Sequence, residues 1–298
     1  MKIRRIAVLI TALLLVVSVA LGGCGKSDKI VIGSKDFGEN IVLGEMFAQL
    51  IEANTDLKVD RRLNMGGTFV CFEAIKKGEI DIYAEYTGTA LTTQLDMDVV
   101  SDPEEAYRIV SEEFSSQFGV KWLEPLGLNN TYALGVTKEV YEEYGVETYS
   151  DLAKVSENLR FGSDHEFFDR QDGYDGLVEE YGFNFKGDPK KMDISLKYQA
   201  IGDGDIDVTN VFATDGPIKK YDIKVLKDDK LFFPPYYASP IVRIDTLEAH
   251  PELEEILNLL ADQIDDSTMT ELNYKIDVAG EDFEDVASDF LRSNGFIL

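Results

Sequence analysis

The chain has little of what enzymes use for chemistry. It holds two cysteines and two histidines among 298 residues. His165 and His250 form no pair at metal-ligand spacing, and no cysteine stands near a histidine in sequence. Gly-x-Ser-x-Gly and phosphate-loop glycine patterns are missing too, so neither a nucleophile with its base nor a metal or cofactor cradle is offered. The expectation is a protein that is not an enzyme and needs no cofactor. Basic residues are also scarce: 29 Lys and Arg face 56 Asp and Glu, a formal charge of −27, which repels nucleic acid and anionic lipid headgroups. Gly/Ser-rich linkers and low-complexity tracts do not occur.

Only one long apolar run is present, and it is at the start. Lys2, Arg4 and Arg5 precede a stretch from Ile6 to Leu21 interrupted by Thr11 and Ser18, the order of a secretory signal. The stretch is shorter than the ~20 residues that a membrane span needs. It ends in Leu21-Gly22-Gly23-Cys24, where small residues let a signal peptidase reach the backbone beside a thiol to be acylated. This pattern looks like a bacterial lipobox. It implies a signal peptide over 1–23, a short polar tether over 24–29 and an anchor of acyl chains on Cys24, holding the protein on the extracytoplasmic face of the cell membrane. Loss of the three basic residues takes the formal charge from −27 to −30. With Cys24 lipidated, Cys71 has no partner, so no structural disulfide is expected. Cys71 in Val70-Cys71-Phe72 reads as a small buried hydrophobe.

An internal echo organises the rest. Ala74-Ile75-Lys76-Lys77-Gly78-Glu79-Ile80-Asp81-Ile82 returns as Ala200-Ile201-Gly202-Asp203-Gly204-Asp205-Ile206-Asp207-Val208, and Ile30-Val31-Ile32-Gly33-Ser34 returns as Leu159-Arg160-Phe161-Gly162-Ser163, at offsets of 126 and 129. Each reads as a helix end, a glycine turn and a strand, or as a strand stopped by Gly-Ser. Between these markers strands alternate with amphipathic helices. Ile41 to Ala53 has helical spacing, Asp102-Pro103-Glu104-Glu105 opens a capped helix, and Leu253, Ile256, Leu257 and Leu260 form a core-facing stripe. The fold expected is α/β and two-lobed, each lobe a mostly parallel sheet flanked by helices with a ligand cleft between them. Crossings near Asn129 and Pro234-Pro235 give one lobe of 30–129 plus 235–298 and a second of 130–234.

Aromatic residues stand at matching places after the repeated strands: Tyr86 in one lobe and Phe212 in the other. Tyr132 follows the first crossing, and Tyr236-Tyr237 follow the second. Four rings converging from both lobes and both crossings suit a quaternary ammonium, which has no hydrogen-bond donors and is held by π faces. Packing of these rings in a core or hinge is the plainer alternative. Lys35 and Arg170 follow the matched turns of opposite lobes and, with Thr89, would hold a carboxylate, although the plainer reading of each alone is a surface charge or an ion-pair partner. Gly66-Gly67-Thr68 before a helix would offer backbone N–H groups to an anion.

As a set, Gly33-Ser34-Lys35, Gly66-Gly67-Thr68, the run Asp81-Ile82-Tyr83-Ala84-Glu85-Tyr86-Thr87-Gly88-Thr89, Asn130-Thr131-Tyr132-Ala133-Leu134, Thr214-Asp215-Gly216 and Phe232-Phe233-Pro234-Pro235-Tyr236-Tyr237 resemble the glycine betaine/carnitine/choline-binding proteins of osmoprotectant ABC importers. The resemblance runs from about residue 29 to the end. It implies a cage of Tyr86, Tyr132, Phe212 and Tyr236 around a trimethylammonium group, polar contacts from Lys35, Thr89, Asn130 and Arg170, and permease and ATPase subunits as partners. Phe212 stands where the family more often has tyrosine, and Phe69 where a small polar residue is expected; both make the cleft less polar. A binder of amino acids or another zwitterion, and a ligand-sensing lipoprotein not coupled to transport, are the competing readings. The lipobox has a direct test. Cys24→Ala should remain uncleaved and take up no fatty-acid label, and normal acyl labelling of that variant would exclude the anchor.

Overall fold

The computed structural model describes residues 29–298, so Cys24 and the signal segment lie outside the described residues. Ten strands fall into two groups. The first sheet has the order β2-β1-β3-β10-β4, built from β1 (Lys29–Gly33), β2 (Lys58–Arg62), β3 (Ile82–Tyr86), β4 (Val120–Trp122) and β10 (Ala238–Arg243). The second group holds β5 (Tyr132–Val136), β6 (Gly162–Asp164), β7 (Lys190–Met192), β8 (Val208–Phe212) and β9 (Lys224–Val225), in the orders β8-β5-β9 and β6-β7, joined by a parallel bridge between Phe161 and Val208.

Helices of eight or more residues are α1 (Gly38–Asn54), α2 (Thr68–Lys77), α3 (Pro103–Phe118), α4 (Tyr174–Tyr181), α5 (Ile194–Gly202), α6 (Asp266–Asp277) and α7 (Phe283–Ser293). α1 begins three residues before the apolar periodicity, because Gly38, Glu39 and Asn40 form its first turn. It is buried nearly all round, with Val42, Leu43, Met46, Phe47, Leu50 and Ile51 in the core, as befits a helix covered by sheet on one side and by α7 on the other. α3 starts as its sequence requires: Asp102 accepts from the Glu105 N–H and Pro103 occupies the first turn. The stripe of Leu253, Ile256, Leu257 and Leu260 is buried, along a helix Glu252–Leu257 that tightens into a 3₁₀ turn at Asn258–Leu260.

The sheets are mixed, where the sequence suggested mostly parallel ones. β1 pairs in parallel with β2 and β3, and β6 with β7, but β10 runs antiparallel to both β3 and β4, and β5 antiparallel to β8 and β9. The exceptions share one cause. β5 and β10 are the strands that begin directly after the chain crosses between sheets, so they start at the edge where β8 and β3 end and must run away from it. Alternation of strands and helices in sequence does not register that reversal.

The echo is a repeated hydrogen-bond device. The Val31 N–H donates to Asp81 Oδ2 at 2.8 Å and the Asp81 N–H returns to the Val31 carbonyl at 2.7 Å. In the other lobe the Arg160 N–H donates to Asp207 Oδ2 at 2.7 Å and the Asp207 N–H returns to the Arg160 carbonyl at 2.8 Å. Each aspartate thus joins the first strand of its unit to the strand that follows the glycine turn. Asp81→Ala and Asp207→Ala should each cost about 1–3 kcal/mol, since a partly buried N–H is left without its acceptor; urea unfolding would measure it, and a loss well below that in both variants would mean water replaces the carboxylate.

Candidate functional site

The reversal of β5 and β10 decides where side chains meet. Tyr86 ends β3 and pairs with Ala238, which starts β10; Tyr132 starts β5 and pairs with Phe212, which ends β8. The two crossings run side by side, with the Asn130 N–H donating to the Tyr236 carbonyl at 3.1 Å and the Tyr236 N–H to Asn129 Oδ1 at 2.7 Å. A cavity of about 630 Å³ opens at this edge. All eight side chains singled out for recognition line it: Tyr86, Tyr132, Phe212 and Tyr236, together with Lys35, Thr89, Asn130 and Arg170.

Tyr132 is the centre of the rings. Its centroid lies 4.5 Å from that of Phe212 and 5.4 Å from that of Tyr236, with the last pair edge to face. Phe37 is a further cavity ring, which the sequence reading missed; it stacks on Phe212 at 5.8 Å and lies 6.2 Å from Tyr86. Its signal was its position, an aromatic at the N-cap of α1 just past the first Gly-Ser turn. Two of the tyrosine hydroxyls are anchored on carboxylates: Tyr86 donates to Glu39 Oε1 at 2.8 Å and Tyr236 to Asp172. A phenol that donates to an anion gains electron density in its ring, which strengthens the attraction of the face for a cation.

The cations expected to hold a carboxylate are each paired within the protein. Lys35 Nζ lies 2.5 Å from Glu85 Oε1 and 2.9 Å from Thr68 Oγ1. Arg170 binds Asp172 through Nε at 2.8 Å and Nη2 at 2.6 Å, with Thr89 Oγ1 at 3.4 Å from Nη1. Burial alone would raise the Asp172 carboxyl, but the Arg170 guanidinium prevails and holds it below the usual range. Asn130 faces the cavity but spends its amide on the crossing: Nδ2 donates to Glu39 at 2.8 Å, and Oδ1 is 3.5 Å from the Thr214 N–H. The Gly66-Gly67-Thr68 turn does open α2, yet its Thr68 N–H donates to Glu166 Oε2 at 3.0 Å. Phe69 lines the cavity and is 48% exposed. Cys71 is fully buried, and burial pushes its thiol up to about 12, the behaviour of packing and not of a nucleophile.

Comparison with known proteins fixes the family. Residues 28–293 match the model of the substrate binding domain of ABC-type glycine betaine transport systems. The chain belongs to that family. It is 37% identical over 292 residues to a carnitine transport binding protein of Listeria monocytogenes, covering 97% of this chain and 94% of that one. It is also 37% identical over 267 residues to the ergothioneine transport permease/ergothioneine binding protein of Helicobacter pylori, covering 89% of this chain but only 48% of that longer protein. Among solved structures, a glycine betaine/carnitine/choline ABC transporter protein superposes with a TM-score of 0.73 at 38% identity, over 90% of this chain and 99% of that one. The protein is thus a two-lobed, extracytoplasmic substrate-binding protein of the ABC importer type. No described helix is long and apolar enough to cross a membrane.

Beside the cavity, four segments far apart in sequence meet on Glu39. This residue of α1 is 2% exposed and takes hydrogen bonds from Tyr86, Asn130, Thr214 Oγ1 at 2.5 Å and Asn273 Nδ2 at 3.1 Å. Burial raises its carboxyl and the four donors only partly offset that. Next to it, beyond the Phe37–Phe212 stack, a smaller cavity of about 320 Å³ is lined by Glu39, Asp215 and Asp277 as well as Lys197 and Tyr198. Burial pushes the Asp215 carboxyl up to about 7, against the pull of Lys197, and the Asp277 carboxyl up to about 6, with the negative charge of Glu39 adding to both. From about pH 4 to about pH 7 the folded protein therefore holds protons that the unfolded chain has lost, so this contribution to stability falls as pH rises. The melting temperature of ligand-free protein should drop between about pH 4 and 7, and Asp215→Asn should flatten the drop. A rising wild-type profile that the variant leaves unchanged would show Asp215 titrating at its ordinary value.

Proposed function

We propose that this chain captures a quaternary ammonium compound, such as glycine betaine, carnitine or choline, between a lobe of residues 30–129 plus 235–298 and a lobe of 130–234, and delivers it unchanged to an ABC permease and its ATPase. The observation that carries this reading is the set of four rings from both lobes and both crossings, two of them with hydroxyls held by buried carboxylates. Tyr86 and Tyr236 therefore present electron-rich faces and no spare hydroxyl proton, which suits a cation without N–H donors. The ligands named for the relatives, carnitine, glycine betaine and ergothioneine, share a trimethylammonium group. Carboxylates behind and around the rings add an attractive field for positive charge. Lys35, Thr89, Asn130 and Arg170 face the remainder of the ligand, Phe37 closes the box beside Tyr86, and an acyl anchor on Cys24 keeps the protein at the membrane. No catalytic step is assigned.

Titration calorimetry with glycine betaine, carnitine, choline and ergothioneine tests the reading. Tyr86→Ala and Tyr236→Ala should each weaken the best ligand by roughly 1–2 kcal/mol or more, the worth of a desolvated cation–π contact, whereas Phe212→Tyr should be tolerated. Unchanged affinity in Tyr86→Ala, or a preference for ordinary amino acids over all four compounds, would replace the cage with a general zwitterion site.

A further inference from the structure

The N-terminus of α2 and the guanidinium of Arg170 frame a place fit for an anion, and the protein fills it with its own carboxylate. Glu166 belongs to the short helix His165–Asp169 of the second lobe, yet its Oε2 takes the Thr68 N–H of the first lobe at 3.0 Å while Oε1 lies 3.5 Å from Arg170 Nη1. The approach depends on Gly67, where a Cβ would overlap Glu166 Oε2. Lys35, beside the same turn, is committed to Glu85 and Thr68, and Arg170 to Asp172. Asp36, Asp164, Asp169 and Asp193 line the cavity as well. Their mutual repulsion shows at Asp36, whose carboxyl is raised by burial first and then by the charges of Glu166 and Asp164. A second carboxylate brought here by a ligand would meet matched cations, an occupied helix end and several negative neighbours.

We propose that Glu166 determines specificity: it holds the anion seat between α2 and Arg170, so that the ligand end reaching it is a neutral hydrogen-bond donor, a hydroxyl or ring N–H, and an anionic end is selected against. Discrimination by a built-in repulsive group is a common route to specificity, and a carboxylate oxygen is a strong acceptor for such a donor. This inference rests on the trimethylammonium reading above and adds the chemistry of the far end.

The experiment is a calorimetric comparison of choline, which ends in a hydroxyl, with glycine betaine, which ends in a carboxylate, on wild type, Glu166→Gln and Glu166→Ala. Gln keeps the size and removes the charge; Ala at 166 empties the seat while Gly67 leaves room for a carboxylate there. In both variants the ratio of the choline to the glycine betaine dissociation constant should rise by about tenfold or more, in favour of glycine betaine, as one charge-assisted contact becomes available to the ligand. Thermal unfolding without ligand shows which variants are folded, and the two variants guard against loss of one. A ratio that stays at the wild-type value, including an equal loss for both ligands, overturns the role of Glu166 while leaving the cage intact. Failure of wild type to bind choline, glycine betaine, carnitine and ergothioneine alike removes the cage reading and this inference with it.

Discussion

One buried carboxylate holds the two lobes in register. Glu39 receives hydrogen bonds from the end of β3, from the first crossing, from the turn after β8 and from α6, four segments far apart in sequence. A carboxylate removed from water at this depth is costly unless its lone pairs are filled, and the four donors fill them only in this arrangement of lobes. The position of Tyr86, the orientation of Asn130 and the placement of Thr214 beside Phe212 all follow from that one requirement. The joint is therefore also where ionisation bears on stability, because Asp215 and Asp277 add negative charge to the same region.

The cleft in front of this joint mixes aromatic faces with charge. Its rings and charged groups are interleaved, with Lys35 Nζ 5.1 Å from the centroid of Tyr86 and the Arg170 guanidinium 5.2 Å from that of Tyr132, and the charges are largely matched to one another before any ligand arrives: Lys35 with Glu85, Arg170 with Asp172, and Lys197 with Asp164 at 3.5 Å. Pairing of this kind rigidifies side chains that would otherwise carry a large entropy cost on binding. It also limits how strongly any of them can reward an anionic ligand. Contacts such as Thr92 Oγ1 to Asp172 at 2.9 Å and Thr68 to Glu166 tie segments far apart in sequence together at the cavity.

The two-unit plan was legible in sequence because the echo encodes a repeated physical device: an aspartate that bonds the backbone of the neighbouring strand needs the same residues at the same spacing in both lobes. Tyr86, Tyr132, Phe212 and Tyr236 were legible for a related reason, since strand ends and crossings can be placed from glycine turns and prolines. Phe37 was not, because its one signal, an aromatic at a helix start just past a Gly-Ser turn, is shared by rings that pack in a core. The mixed sheets were missed because strand direction after a crossing depends on which edge the chain enters.

The sequence by itself determined the family, the α/β character, the twofold repetition and the residues gathered at the cleft, all of which follow from local periodicity and from motifs whose chemistry is short in range. Only the tertiary structure decided the partners: that Lys35 spends its charge on Glu85, that Glu39 ties the crossings, and that Glu166 takes the helix end that Gly66-Gly67-Thr68 offers. These pairings join residues 50, 91 and 98 positions apart. A buried charge is neutralised by whatever the fold brings within a few ångströms, and no spacing along the chain records that choice.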